Sequence, residues 1–187
     1  MNWLETSNHK TRSAVMIAQS ASPIPILGEV TQPSLSYRAR LEWDGQTLKG
    51  RLGGLVFGED LLLEFGQNEA LGWVSGTRVF SVHARLVDTR IEIRLTGAGA
   101  ARSGWLELGL GHARGFLYGP SGSHPVEVSL SDTRVEGEVG TGQPRRVKLS
   151  RAGLPDWASV VAAIVTEVAG RDAERVLLES YNGLAEG

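Results

Sequence analysis

Histidine is the most chemically versatile residue type in this chain, and three of its four copies, His83, His112 and His124, lie in the central region. Imidazole nitrogens bind zinc and other transition metals. No two of these histidines are spaced i, i+2 as on one strand or i, i+4 as on one helix, so the spacing predicts no metal site. The chain contains no cysteine, which excludes disulfides, thiolate catalysis and cysteine-ligated zinc.

A serine and histidine cluster is the nearest approach to a nucleophilic site. The stretch GPSGSHP places Ser121 and Ser123 beside His124, and a hydroxyl activated by an imidazole is the usual pair in hydrolases. The stretch does not match the Gly-x-Ser-x-Gly nucleophile elbow, so a hairpin loop is the favoured interpretation. A hydrolase-type site near His112 and His124, with Glu107 and Ser121, remains an alternative.

Two recurring glutamates and one glycine-rich stretch are of the types used in acid–base and cofactor chemistry. Glu64 and Glu107 recur at equivalent places, but strand alternation puts them opposite apolar neighbours, on a solvated outer face. The stretch GAGAARSG lacks the glycine spacing of a dinucleotide-binding loop and leads into another predicted strand. We therefore predict no catalytic residues and no cofactor.

Aromatic and arginine side chains give the strongest candidate surface. Trp73 is followed by Arg78, and Phe116 lies between Arg114 and Tyr118. Arginines beside rings stack and make cation–π contacts, which suit a sugar, a peptide or a base. The predicted ligand or partner surface comprises Glu69, Trp73, Arg78, His112, Arg114, Phe116 and Tyr118.

The tight glycine–aromatic strands nevertheless favour a core position for Trp73 and Phe116 over a binding role. Trp43, Trp105 and Trp157 are predicted to lie in the core for the same reason.

An internal repeat indicates the elements that must position these residues. LEFGQNEALGWVSG (63–76) and LELGLGHARGFLYG (106–119) are identical at six of fourteen positions, and predicted hairpin turns at Asp44, Asp88 and Asp132 are evenly spaced. A unit of about 44 residues follows, present in two full copies and part of a third. The sequence predicts a mainly β fold over 34–150, a duplicated antiparallel sandwich or barrel of about ten strands.

The two ends of the chain differ from this β-domain. Residues 1–33 are predicted to be an extended or flexible arm, because Ser20–Pro33 contains three prolines and no helical period. Residues 151–187 are predicted to be a C-terminal helical segment packed on the β-domain, in two helices separated near Gly170. The first helix carries one apolar stripe, made of Trp157, Val160, Val161, Ile164, Val165 and Val168. A dimer surface is the alternative use of that stripe.

Composition limits the class of partner. The net charge is −2, with 41% hydrophobic and 21% charged residues, which is typical of a soluble globular protein and argues against a dedicated nucleic-acid binder. The apolar run AVMIA is too short for a secretory signal, and no run is long enough to span a membrane. A cytoplasmic location is the resulting expectation.

The functional prediction rests on these exclusions. Lacking a catalytic constellation, the chain is predicted to be a non-catalytic binding or assembly module that acts through a protein partner or self-association, with a small ligand as a further option. An incomplete repeat would leave strand edges for another chain to pair with. The alternative is a sugar-binding oligomer, in which aromatic and arginine sites recur on each repeat and several chains complete a propeller-like ring.

Overall fold

The computed structural model describes residues 22–31, 36–53, 58–76, 79–97, 101–140 and 144–185, with side chains described as far as residue 170. The elements, in chain order, are β1 (Ile24–Thr31), β2 (Ser36–Trp43), β3 (Thr47–Gly53), β4 (Gly58–Phe65), β5 (Glu69–Ser75), β6 (Phe80–Val87), β7 (Arg90–Gly97), β8 (Arg102–Gly109), β9 (His112–Gly119), β10 (Gly122–Leu130), β11 (Arg134–Val139), β12 (Arg145–Ser150) and α1 (Asp156–Ala185).

The strands form one closed antiparallel barrel. Each strand pairs with the next in sequence, and β1 pairs with β12 as well as β2, so that Val30 lies opposite both Val147 and Tyr37. The prediction of a mainly β fold with a C-terminal helix is confirmed. The prediction of about ten strands is wrong, because twelve strands close into a barrel, and a sandwich is excluded.

Strand β1 comes from the proline-rich stretch that was assigned to the N-terminal arm. Pro25 lies opposite Glu42 of β2, while pairing with β12 begins only at Gly28. The missing N–H of Pro25 therefore lies at a strand end, where a β-sheet tolerates proline. Extended backbone was the correct expectation for this stretch, but the ladder that it joins is not visible in its composition. The part of the predicted arm before residue 22 lies outside the described residues.

The three predicted aspartate turns connect β2 to β3, β6 to β7 and β10 to β11, four strands apart. In the first of them, Gly45 has a φ of 101°. The backbone N–H groups of Thr47 and Gln46 donate to Asp44 Oδ1 at 2.7 and 3.0 Å. These hydrogen bonds, with Thr47 the larger cause, hold the pKa of the Asp44 carboxyl below its usual value. The duplication of a 44-residue unit stays a prediction.

Helix α1 fills the barrel. It contacts strands on opposite sides of the ring, namely β1, β3, β4, β6, β10, β11 and β12. Every residue of Trp157–Ala169 is buried, a stretch of about 20 Å at 1.5 Å per residue. A barrel of eight-residue strands tilted by roughly 40° is also about 20 Å tall. The length of the apolar helix therefore matches the space that twelve strands enclose.

The predicted amphipathic helix is thus an enclosed helix. The stripe residues Trp157 to Val168 are buried as expected, but so are Ala158, Ala162 and Ala163 on the other side. These small side chains let strands approach from every direction, and a helix that is apolar all round belongs in a core. The predicted break near Gly170 is wrong, because α1 continues through it to Ala185.

Two polar contacts hold α1 at one place in the barrel. The Tyr37 hydroxyl of β2 donates to the Thr166 carbonyl oxygen at 3.0 Å. Arg145 of β12 lies 3.4 Å from the carboxylate of Glu167, which is fully buried. Because each contact joins the helix to a defined strand position, they fix how far the helix is inserted.

Gly170 allows the Tyr37 ring to cross the helix. A Cβ atom at position 170 would lie 0.6 Å from Tyr37 Oη and 1.4 Å from Cζ. In an exposed helix, Gly→Ala stabilises by about 1 kcal/mol. Here Gly170→Ala is expected to lower the free energy of unfolding by about 1–3 kcal/mol, as overpacking does. Urea denaturation measures this, and a stabilised variant would contradict the packing. In a Tyr37→Ala background, which lacks the ring, Gly170→Ala should cost much less than it does in the wild type.

Candidate functional site

The outward side chains of β6 to β9 form regular rows that run across the strands on the barrel surface. In one row across the strands, Arg94 lies opposite Ser103, and Ser103 lies opposite Tyr118. In the next row, Trp105 lies opposite Phe116. Residues two apart on one strand are about 6.7 Å apart, and neighbouring strands are about 4.8 Å apart. A row of hydrogen-bond donors thus borders a row of rings.

Three aromatic rings form a contiguous cluster on the outer face, in which Phe116 and Tyr118 are exposed and Trp105 is half-buried. The Trp105 and Phe116 centroids are 6.1 Å apart at 61°, and those of Phe116 and Tyr118 are 6.4 Å apart at 30°. Phe116 is 40% exposed and Tyr118 is 45% exposed. The Arg90 guanidinium carbon lies 4.5 Å from the centroid of the Trp105 ring, a cation–π distance. Large rings exposed together leave apolar area in water, which a bound partner would cover.

A groove of about 410 Å³ runs beside this cluster. It is lined by His83, Arg85, Arg90, Glu92, Ile93, Arg94, Ser103, Gly104, Trp105 and Tyr118. Three guanidinium groups and one carboxylate in this lining give the groove a positive balance. We define the aromatic–arginine surface as Arg90, Arg94, Trp105, Phe116 and Tyr118.

The two arginines of this surface differ from the ion-paired arginines of β9 and β12. On β9 to β12, Arg114 pairs with Glu127 at 2.7 Å and Arg146 with Glu138 at 2.8 Å. Within the described part of the chain, Arg90 and Arg94 form no ion pair. Arg90 lies opposite Glu107, but that carboxylate accepts a hydrogen bond from the Thr89 hydroxyl at 3.3 Å. The guanidinium groups of Arg90 and Arg94 are thus available to an anionic partner.

The structure brings together only part of the predicted surface. Phe116 and Tyr118 lie in the ring cluster, and Arg114 lies one row away, paired with Glu127. Glu69 borders the groove, where its carboxylate lies 2.8 Å from His83 Nε2 and 4.0 Å from Arg85. Arg78 lies outside the described residues.

Trp73 and His112 lie away from the groove. Trp73 is on β5, opposite Leu62 and Ser81. The His112 ring lies in the β8–β9 turn, with Nδ1 3.0 Å from the Leu110 carbonyl oxygen.

The core assignment of Trp73 and Phe116 was wrong. Trp73 is 42% exposed, and both rings point outward while their neighbours Val74 and Leu117 are buried. The alternation of strand side chains allowed either face. Because Val74 and Leu117 take the inward positions, alternation places the adjacent rings outside.

Trp105, Arg90 and Arg94 are surface residues that were not predicted from the sequence. Trp105 was predicted to be core, as were Trp43 and Trp157; only the last two are buried. A signal was present, because Trp105 shares its strand parity with Glu107, which was assigned to the solvated face. The sequence contains no such signal for Arg90 and Arg94, because their place in the surface depends on which rings lie on the neighbouring strands.

The residues of the hydrolase alternative do not converge. Ser121 Oγ lies 2.9 Å from His124 Nε2 in the β9–β10 turn. His112 pairs with Ser129 and His124 with Leu117, so the two imidazoles lie near opposite ends of β9, roughly 17 Å apart at 3.3 Å per residue. Across the described ranges, no group of three or more His, Asp or Glu side chains is placed to hold a metal ion.

Comparison with family models, with curated proteins and with solved structures gives no match to this chain. Among the described helical residues, none form a segment both long and apolar enough to cross a membrane. The proposed function is therefore derived from the geometry of the aromatic–arginine surface.

Proposed function

We propose that this chain is a non-catalytic binding module that engages a protein partner through the aromatic–arginine surface. The observation that carries the proposal is the ring cluster, with Phe116 and Tyr118 exposed and Trp105 half-buried, beside two arginines that form no ion pair with any described residue. Trp, Tyr and Arg are the residue types that dominate binding energy at protein interfaces. Their rigid rings cover area at low entropic cost, and guanidinium groups add directional hydrogen bonds.

The mode of binding is contact with side chains on a sheet face. Strand edges were predicted as pairing sites for another chain. In the structure β1 pairs with both β2 and β12, so the closed barrel leaves no free edge among its strands. Addition of a partner strand would require an existing ladder to open. The outer face of β6 to β9 needs no such rearrangement.

Selection from phage-displayed random peptides tests this proposal. Peptides selected on the wild-type protein should bind Trp105→Ala and Arg94→Ala at least tenfold more weakly, because hot-spot truncations cost about 2 kcal/mol or more. Trp73→Ala and Arg146→Ala are matched controls, since each alters an exposed residue of the same type outside the surface. Selected peptides that bind all four variants equally, or a failure to select any, would overturn the proposal.

Sugar binding is a second candidate, favoured by the similar exposure of Trp73 and Phe116. The propeller-like ring of several chains is not needed, because one chain closes its own barrel. A sugar-binding repeat predicts that Trp73→Ala and Phe116→Ala each remove one site. Titration of wild-type protein with glycans from an array, by calorimetry, should then give two equivalent sites; a peptide-binding surface on β6 to β9 gives none.

A further inference from the structure

We infer that the aromatic–arginine surface recognises an extended peptide with one aromatic residue flanked, two positions away on each side, by acidic residues. This inference rests on the proposed function and specifies the partner's sequence. It follows from the order of side chains along β7, where Arg90, Glu92 and Arg94 point outward in succession. The two arginines therefore lie on either side of the row that contains the rings.

The ring row would hold the central residue of the peptide. Glu92 lies opposite Trp105, and Trp105 lies opposite Phe116. A peptide side chain in this row meets the exposed Phe116 ring and the half-buried Trp105 ring, which favours an aromatic group by stacking or edge contact. The Glu92 carboxylate in the same row repels an acidic side chain there, so the central position selects against negative charge.

The rows on either side would hold the acidic residues. On one side, Arg94, Ser103 and Tyr118 are side by side, and all three line the groove. A guanidinium with two hydroxyls supplies several donors to one carboxylate, including a bidentate pair from arginine. On the other side, the Arg90 guanidinium lies over the Trp105 ring, and Glu107 opposite Arg90 makes this the weaker of the two acidic positions.

The spacing of an extended peptide matches these rows. Side chains at i and i+2 of an extended chain are on the same face and about 6.7 Å apart, the same as the spacing between rows on the barrel. A peptide running along the strands therefore places residues i−2, i and i+2 on consecutive rows. Residues i−1 and i+1 point to solvent and are free to vary.

A peptide fits this surface better than a nucleic acid. A phosphodiester backbone carries charge at every nucleotide, and its affinity depends on a continuous positive surface. Here Glu92 interrupts the arginines, and Glu107 lies opposite Arg90. The alternation of positive, negative and positive side chains on β7 suits a ligand whose charges are separate.

Three synthetic peptides with the same flanks test the inference on the full-length protein. Their centres are Glu-Ser-Phe-Ser-Glu, the shifted Ser-Glu-Phe-Glu-Ser, and Lys-Ser-Phe-Ser-Lys. Fluorescence anisotropy should show the first binding at least tenfold more tightly than the second, although their compositions are identical. The third should not bind, and added salt should weaken the first. Arg94→Gln should weaken the first peptide about tenfold, whereas Arg146→Gln should not.

Equal affinity for the first and shifted peptides would overturn this inference, as would tighter binding of a labelled oligothymidylate of comparable length. Phage-selected peptides that require Trp105 but lack the acidic pattern would overturn only the inference, leaving the proposed function intact. Selected peptides that neither require Trp105 nor carry the acidic pattern would show that the surface does not bind peptides. Circular dichroism of Arg94→Gln confirms that a loss of binding is not a loss of fold.

Discussion

Ala162→Glu is expected to abolish the folded state. The side chain at position 162 lies on the side of α1 away from the apolar stripe, yet it is fully buried inside the barrel. An unpaired carboxylate there costs several kcal/mol, and it also overpacks the interior. A domain of this kind has a free energy of unfolding of only about 5–15 kcal/mol in total. This single substitution therefore removes much or all of that free energy.

The measurement is thermal unfolding followed by circular dichroism, with Ala101→Glu as the control. Ala101 is exposed just before β8, so the same change there should alter the free energy of unfolding by less than about 0.5 kcal/mol. An amphipathic helix docked on the outside of the sheet would leave position 162 in solvent. A melting temperature of Ala162→Glu within a few degrees of wild type would therefore show that α1 is not enclosed.

Arg145→Met is expected to lower the free energy of unfolding by about 3 kcal/mol, at the low end for breaking a buried ion pair. Its partner Glu167 is fully buried inside the barrel, whereas the Arg145 side chain is 26% exposed. Removing the guanidinium takes away a compensating charge from a carboxylate that has no access to water. The loss arises because the guanidinium no longer offsets the buried carboxylate, so Glu167→Gln in the same chain should recover most of it.

Arg146→Met is a matched control on the adjacent residue. Arg146 also pairs with a glutamate, at 2.8 Å from Glu138, but both side chains are about half exposed or more on the outer face. Such surface pairs contribute about 0–1 kcal/mol. Urea denaturation of the two variants should give clearly different midpoints. Equal losses at 145 and 146 would contradict the inward placement of Glu167.

Part of the candidate surface was predicted from the sequence, and part of it was not. Phe116 and Tyr118 were identified because rings and arginines close in sequence indicate stacking, and both lie in the exposed cluster. Trp73 was included by the same reasoning but lies on β5, outside the groove. Arg90 and Arg94 were missed, because a β-strand residue's neighbours come from other strands, and the register between β7 and β8 is not encoded in local spacing.

The sequence by itself determined the class of the elements. Alternation and aspartate turns specify strands and hairpins locally, and the apolar stripe from Trp157 to Val168 specifies a helix, since these signals depend on residues within one or two turns of each other. Only the tertiary structure decided that β1 closes a ring of twelve strands and that α1 lies inside it. Both depend on contacts between distant parts of the chain, which local spacing does not encode.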